Sequence, residues 1–157
     1  EELEARGAEM VDAGPADTVV VGFHEDFDYR GLTAGMRAVL GGARILATND
    51  DVSFPSQDGL RPGAGSLLAA LVAATGATPE VAGKPYGPMC DLVRELVGED
   101  GVMVGDRPDT DGRFAQAMGW RWSLVLSGLV GSDDLPVEPS PDTVHDDLLG
   151  AVTEHLG

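Results

Sequence analysis

Lysine is almost absent from this chain. Of 10 basic residues only Lys84 is a lysine, against 27 acidic residues and a formal net charge of −17. That balance opposes nonspecific contact with nucleic acid or an anionic membrane surface, because both are negative as well. Cysteine is limited to Cys90, which excludes an internal disulfide framework and suits a reducing compartment. Histidine occurs only at His24, His145 and His155, without metal-ligand spacing, so no zinc site is expected. No apolar run reaches membrane-spanning length and no basic-then-apolar leader is present. The expected setting is therefore cytoplasmic, with no nucleic acid and no membrane as partner.

What is present is ordinary globular material. At 157 residues and 43% hydrophobic content the chain can bury one sizeable core or two small lobes. Residues 1–10 read as a truncated helix broken at Gly14-Pro15. A β-rich run over 18–23 leads to Asp28, a candidate N-cap for a helix with Leu32, Met36, Val39 and Leu40 on one face. Gly41-Gly42 ends it and 44–48 returns as a strand, a β-α-β unit that predicts parallel strands. Residues 50–65 read as a loop rich in Asp, Ser, Pro and Gly, long enough to suspect a role in function. It ends in a glycine-rich turn before a helix over 67–75. Such a turn can hold an anion, but close backbone packing is the better reading of this one.

Thr78-Pro79 marks a domain boundary. After it come a short strand over 80–83 and a helix started by Pro88, with Met89, Leu92, Val93 and Leu96 facing inward. Residues 101–105 form a strand, 110–118 a helix stopped by Gly119, and 120–126 a strand with alternating Trp122, Leu124 and Leu126. A proline-rich connector over 135–141 leads to an edge strand at 142–145 and a last amphipathic helix over 146–156.

The chain is organised around Val102-Met103-Val104-Gly105-Asp106-Arg107-Pro108-Asp109-Thr110-Asp111. An apolar strand turns on glycine and presents three carboxylates within six residues. Carboxylates at a parallel strand end are hard oxygen ligands suited to Mg²⁺. They could equally cap the following helix and favour its dipole. Upstream, the sole lysine stands between Gly83 and Pro85. A compact ammonium on a flexible stem suits a phosphate oxygen or a cluster of carboxylates.

Gly83-Lys84-Pro85 followed by Val104-Gly105-Asp106-Arg107-x-x-Thr110-Asp111 resembles the last two signature motifs of the haloacid dehalogenase (HAD) superfamily. It is similar in particular to the branch of 4-nitrophenyl phosphatases, NagD-type nucleotidases and pyridoxal phosphate phosphatases. Val20-Val21-Gly22, Asp26-Phe27-Asp28-Tyr29, Ala47-Thr48-Asn49-Asp50, Asp58-Gly59-Leu60-Arg61-Pro62-Gly63-Ala64-Gly65 and Leu124-Val125-Leu126-Ser127-Gly128 extend the resemblance in the right order over most of the chain.

The resemblance implies an α/β fold. Residues 1–78 would be part of an α/β cap of the C2 type and 79–157 the C-terminal half of a Rossmann-like core. It implies a Mg²⁺-dependent phosphatase acting on a small phosphorylated metabolite through an aspartyl-phosphate. Asp106 would ligate Mg²⁺ directly, Asp111 would orient Lys84 or a metal-bound water, and Lys84 would meet the phosphate. Asn49, Asp50 and Phe54 become candidate substrate-binding residues of the cap, with Phe54 either facing a flat leaving group or filling the cap core. Caps of this kind often pair, so a homodimer through the cap is left open.

The family opens with an Asp-x-Asp-Gly strand end that carries the nucleophile and the acid/base. No Asp-x-Asp-Gly followed by Thr or Val after an apolar strand occurs in the 157 residues. The expectation is a C-terminal portion of a longer enzyme, inactive by itself, with the strand before Asp106 left unpaired on one apolar edge. The competing expectation is a regulatory module that binds Mg²⁺ or a phosphometabolite without hydrolysis. A receiver-type phosphotransfer domain fits worse, because its acidic cluster should precede its lysine.

Overall fold

A single helical turn, α1 (Glu2–Ala5), opens the computed structural model, which describes residues 2–156; Glu1 and Gly157, at the outer ends of the two expected domains, lie outside it. The helix stops well short of residue 10, with Gly7 turning the chain at φ 91°. A run of β-branched residues then favours extended backbone. β1 (Thr18–Val21) and β2 (Arg44–Ala47) pair in parallel across α2 (Tyr29–Leu40), Thr18 opposite Arg44 and Val21 opposite Ala47. α2 starts where expected because Asp28 Oδ1 accepts the Gly31 N–H at 2.7 Å. A cap of this kind stabilises a helix by about 1 kcal/mol.

Residues 50–65 are not an irregular loop. β3 (Ser53–Ser56) and β4 (Gly59–Pro62) form an antiparallel hairpin, with Gly59 at φ 112° closing the turn. Pro55 concealed it in the sequence. A two-stranded ribbon leaves each strand an unpaired edge where proline's missing N–H does no harm. α3 (Ala64–Thr75) follows, capped by Gly76 in the left-handed region. Gly63 and Gly65 serve close packing: their N–H groups donate to the Val52 carbonyl at 2.8 Å and the Asp51 carbonyl at 2.9 Å. A Cβ on Gly65 would run into the Asp50 carbonyl. The two-residue strand β5 (Glu80–Val81) completes the sheet in the order β1-β2-β5.

Val39, Ile45, Leu68, Leu71 and Val81 form the core of this first compact unit, which ends at Val81. Leu32 and Met36 pack against it, but Leu40 is 66% exposed and falls outside the buried stripe.

The second unit begins at Ala82. α4 (Gly87–Val97) carries Pro88 in its first turn and stops at Gly98. Its inward face centres on Cys90, which clusters with Phe114 and Met118, with Met89 and Val93 alongside. Leu92 and Leu96 instead face outward, 48% and 72% exposed. β6 (Val102–Gly105) leads into a π-helical turn, Pro108–Gly112, and only then into α5 (Arg113–Met118). β7 (Arg121–Val125) and β8 (Thr143–His145) complete a parallel sheet in the order β6-β7-β8, and α6 (Leu148–Leu156) ends the described chain.

The central position of β7 changes its pattern. Ser123 and Val125 are buried together with Trp122 and Leu124, because both faces of a middle parallel strand are covered. β6 pairs only with β7 among the described residues, and its four residues remain half-buried. Mixed α/β architecture with parallel sheets is thus the fold of the chain.

Candidate active site

Parallel pairing sets Gly105 opposite Leu124, so the chain segments leaving β6 and β7 emerge at the same end of the sheet. Asp106 stands at the first exit and the Ser127-Gly128-Leu129 turn at the second. The Leu129 N–H donates to Asp106 Oδ2 at 2.7 Å. A Cβ on Gly128 would collide with the Asp106 carboxylate, so only glycine leaves room for it there. Nothing in the local sequence singles out Gly128 or Leu129 beyond their place in an ordered resemblance; their role emerges only when β6 and β7 lie side by side.

Asp111 is held more tightly. It lies in the π-helical turn, its side chain 6% exposed, and Lys84 Nζ donates to its Oδ1 at 2.6 Å. Its Oδ2 accepts the Arg107 N–H at 3.2 Å. A carboxylate buried to this degree is stable as an anion only when paired and hydrogen-bonded. Gly105 is again required by space, because any Cβ there would meet the Asp111 carboxylate. Lys84 sits in the turn before α4, closed by the Tyr86 N–H donating to the Gly83 carbonyl at 3.0 Å. The Cys90 thiol donates to the Pro85 carbonyl at 3.5 Å. Burial pushes the Cys90 thiol above its usual range, the nearby Arg94 opposing only part of that.

Asp109-Thr110-Asp111-Gly112 spells Asp-x-Asp-Gly, but Arg113 follows it and it lies in the π-helical turn, not at a strand end. In that turn, rather than at the end of an apolar strand, these residues do not take the place of the family's opening motif.

Arg107 does not stand alone against the site's negative charge. Its Nε and Nη2 donate to the two oxygens of Asp109, at 3.3 and 3.0 Å. That fork holds the Asp109 carboxyl below the ordinary carboxylate range, against a smaller opposing effect of burial.

The second unit therefore brings Lys84 and Asp111 into direct contact, with Asp106 at the neighbouring strand exit. Asn49, Asp50 and Phe54 belong to the first unit. Asn49 Nδ2 donates to Asp51 Oδ2 at 2.7 Å, and Asp50 is half-buried. Phe54 packs edge-on against Phe23, ring centroids 5.1 Å apart, while Glu25 and Arg61 form an ion pair at 2.9 Å. Phe23 was not anticipated as a neighbour of Phe54, since the two are joined only by the fold. A cavity of about 640 Å³ in the first unit runs along α2 past Arg30, Thr33 and Arg37, and none of the candidate residues lines it.

The donor set bears on a cation. Asp106 Oδ2 is engaged by Leu129, whereas Oδ1 has no hydrogen bond from the described residues. Both oxygens of Asp111 are already taken by Lys84 and Arg107. One hard oxygen ligand is available, with a second carboxylate behind it, which fits Mg²⁺ with Asp106 as the direct ligand. Among the described residues no group of three or more His, Cys, Asp or Glu side chains is placed to hold a metal ion.

A family model described as HAD-hydrolase-like matches residues 81–151. A dihydroxyacetone phosphatase from Corynebacterium glutamicum is 38% identical over 142 residues, covering 88% of this chain and 50% of that protein. The structure of a p-nitrophenyl phosphatase from Archaeoglobus fulgidus superposes with a TM-score of 0.88 at 34% identity, covering 98% of this chain and 62% of that one. A glycerol phosphate phosphatase from Mycobacterium tuberculosis, in complex with magnesium, superposes with a TM-score of 0.84 at 35% identity, covering 95% of this chain and 47% of that one. The chain thus spans about half the length of the curated relatives it matches.

Proposed function

Since the chain belongs to the HAD superfamily of hydrolases, in the branch of the NagD-type and 4-nitrophenyl phosphatases, we propose that it forms part of a Mg²⁺-dependent phosphate monoester hydrolase. The observation that carries this reading is the 2.6 Å contact between Lys84 and the buried Asp111, at the sheet end where Asp106 also emerges. A phosphate ester resists attack because its oxygens are already negative, so catalysis rests on positioned cations and in-line geometry. Lys84 supplies one cation to the phosphoryl oxygens, and Asp111 fixes where that ammonium points. Asp106 holds the metal, which when bound supplies further positive charge against the phosphate. Lysine also steadies an aspartate nucleophile; attack by that carboxylate on phosphorus breaks the ester P–O bond, the departing alcohol taking a proton from the acid/base, and water then hydrolyses the aspartyl-phosphate to inorganic phosphate and the free carboxylate.

The nucleophile and the acid/base come, in this reading, from a segment outside this chain, which by itself is inactive. The first unit acts as the cap and the second as the core half, with the division after Val81 rather than at Thr78-Pro79 because β5 pairs with β2, and Asn49, Asp50 and Phe54 contribute to the choice of a small phosphorylated substrate. The protein works in the cytoplasm, and pairing through the cap is a consistent assembly.

Phosphate release by the longer protein tests the proposal. Mg²⁺-dependent release that drops roughly a hundredfold or more in Asp106→Ala and in Lys84→Ala is expected, the scale of a lost charge-stabilising group. A longer protein that carries the opening Asp-x-Asp-Gly strand end yet releases no phosphate from a panel of sugar, nucleotide and aryl phosphates would overturn the proposal.

A further inference from the structure

Asp109 is exposed and has no hydrogen bond to Lys84 or Asp111, yet it closes a chain of contacts that ends on both. Its two oxygens grip the Arg107 guanidinium as a fork, and the Arg107 side chain is only 18% exposed while Asp109 is 58% exposed. The Arg107 backbone is meanwhile the anchor of the π-helical turn. Its carbonyl accepts the N–H groups of Asp111 at 2.8 Å and Gly112 at 3.1 Å, and its own N–H donates to Asp111 Oδ2. A wide turn of this kind is uncommon, and it occurs often at functional sites.

The inner side of the turn is fixed by packing. A Cβ on Gly112 would lie 2.8 Å from both Pro139 and Trp122, so the turn cannot move inward. The outer side faces solvent at Asp109, and the Arg107–Asp109 fork restrains it there.

We infer that Asp109 is a positioning residue: by clamping the Arg107 side chain it fixes the backbone that aims Asp111 at Lys84. The inference rests on the reading of Lys84 and Asp111 as working residues and extends it outward by one contact. A fork between planar groups restrains direction as well as distance, which a single-point ion pair would not. Asp109→Asn keeps the size and removes the charge, so the fork weakens while the turn's packing against Trp122 stays. Asp109→Glu keeps the charge on a longer stem and should restore the grip.

The test is amide and ammonium hydrogen exchange by NMR on this chain. In Asp109→Asn, exchange of the Asp111 amide and of the Lys84 ammonium protons should accelerate roughly two- to fivefold, the range of an exposed ion pair, with β7 and α4 unchanged. Asp109→Glu should return both to the parent rates. Unchanged exchange in Asp109→Asn, acceleration that spreads equally to β7 and α4, or Asp109→Glu behaving like Asp109→Asn would each overturn the inference. No phosphate chemistry enters the measurement, so its failure leaves the phosphatase reading standing, and the failure of that reading leaves this geometry testable.

Discussion

The Asp106 carboxylate fills the space that a side chain on Gly128 would need, and the next residue, Leu129, donates its N–H to the same group. A strand-end acid and an N–H 23 positions away thus form one local device, with the turn both making room for the carboxylate and orienting it. Gly128→Ala should therefore act on Asp106 directly. The added methyl forces the carboxylate aside, at a cost of about 1–3 kcal/mol for an overpacked contact, read as a lower urea midpoint. Mg²⁺-dependent phosphate release by the longer enzyme should fall as in Asp106→Ala. Full activity in Gly128→Ala would show that the collision is relieved without moving Asp106.

Phe54 and Phe23 form an edge-to-face pair that ties the hairpin to the segment after β1, beside the Glu25–Arg61 ion pair. Phe23→Ala should loosen the hairpin by about 0.5–1.5 kcal/mol, the usual value of such an aromatic pair, visible as faster amide exchange over β3 and β4. If Phe54 helps choose the substrate, Phe23→Ala should also raise KM for aryl phosphates in the longer enzyme with little change in kcat. An unaltered KM for all substrates would confine the pair to a structural role.

Several features were readable before folding because they are local. Asp28 as N-cap, Gly76, Gly98 and Gly119 as helix stops, and the β-α-β unit depend on neighbouring residues, and each stands where expected. The hairpin was missed because Pro55 and the surrounding Ser and Gly mimic an irregular loop, and its pairing depends on the partner strand. Leu92 and Leu96 share a helical face on paper, but Phe114 and Met118 lie against Cys90 instead. The π-helical turn has no composition of its own. It arises from the contacts of Arg107, Asp111 and Gly112, of which only the acidic residues signalled a site.

Cys90 gives a pH-dependent expectation. Burial raises its thiol above the ordinary 9.0, so the folded state favours the neutral form. The associated stability is present below 9.0 and is lost as pH rises through the folded value, because the unfolded chain ionises first. Urea midpoints of the parent chain should fall more steeply than those of Cys90→Ala between mildly alkaline and strongly alkaline pH. At pH 8 the thiol should react with a disulfide reagent at least about an order of magnitude more slowly than free cysteine. Equal slopes for the two chains, or rapid modification at pH 8, would mean the thiol is open to solvent.

The Lys84–Asp111 contact is a charge pair with unequal partners, one side chain 40% exposed and the other 6%. Removing the lysine leaves the buried carboxylate, among the described residues, with the Arg107 N–H alone, whereas removing the carboxylate leaves an ammonium that water can still reach. Lys84→Met should therefore destabilise the second unit by roughly 1–3 kcal/mol, the cost of a buried polar group losing its partner with allowance for the lysine's exposure. Asp111→Leu, which keeps the branching of the side chain, should cost less. The double variant should be more stable than the two single losses predict, because it removes the unpaired charge together with its partner. Trp122 fluorescence reports on this unit directly, since the ring is buried in its core. Strict additivity in the cycle would mean that the two groups do not interact in solution, and with it the orientation of Lys84 by Asp111 would be lost.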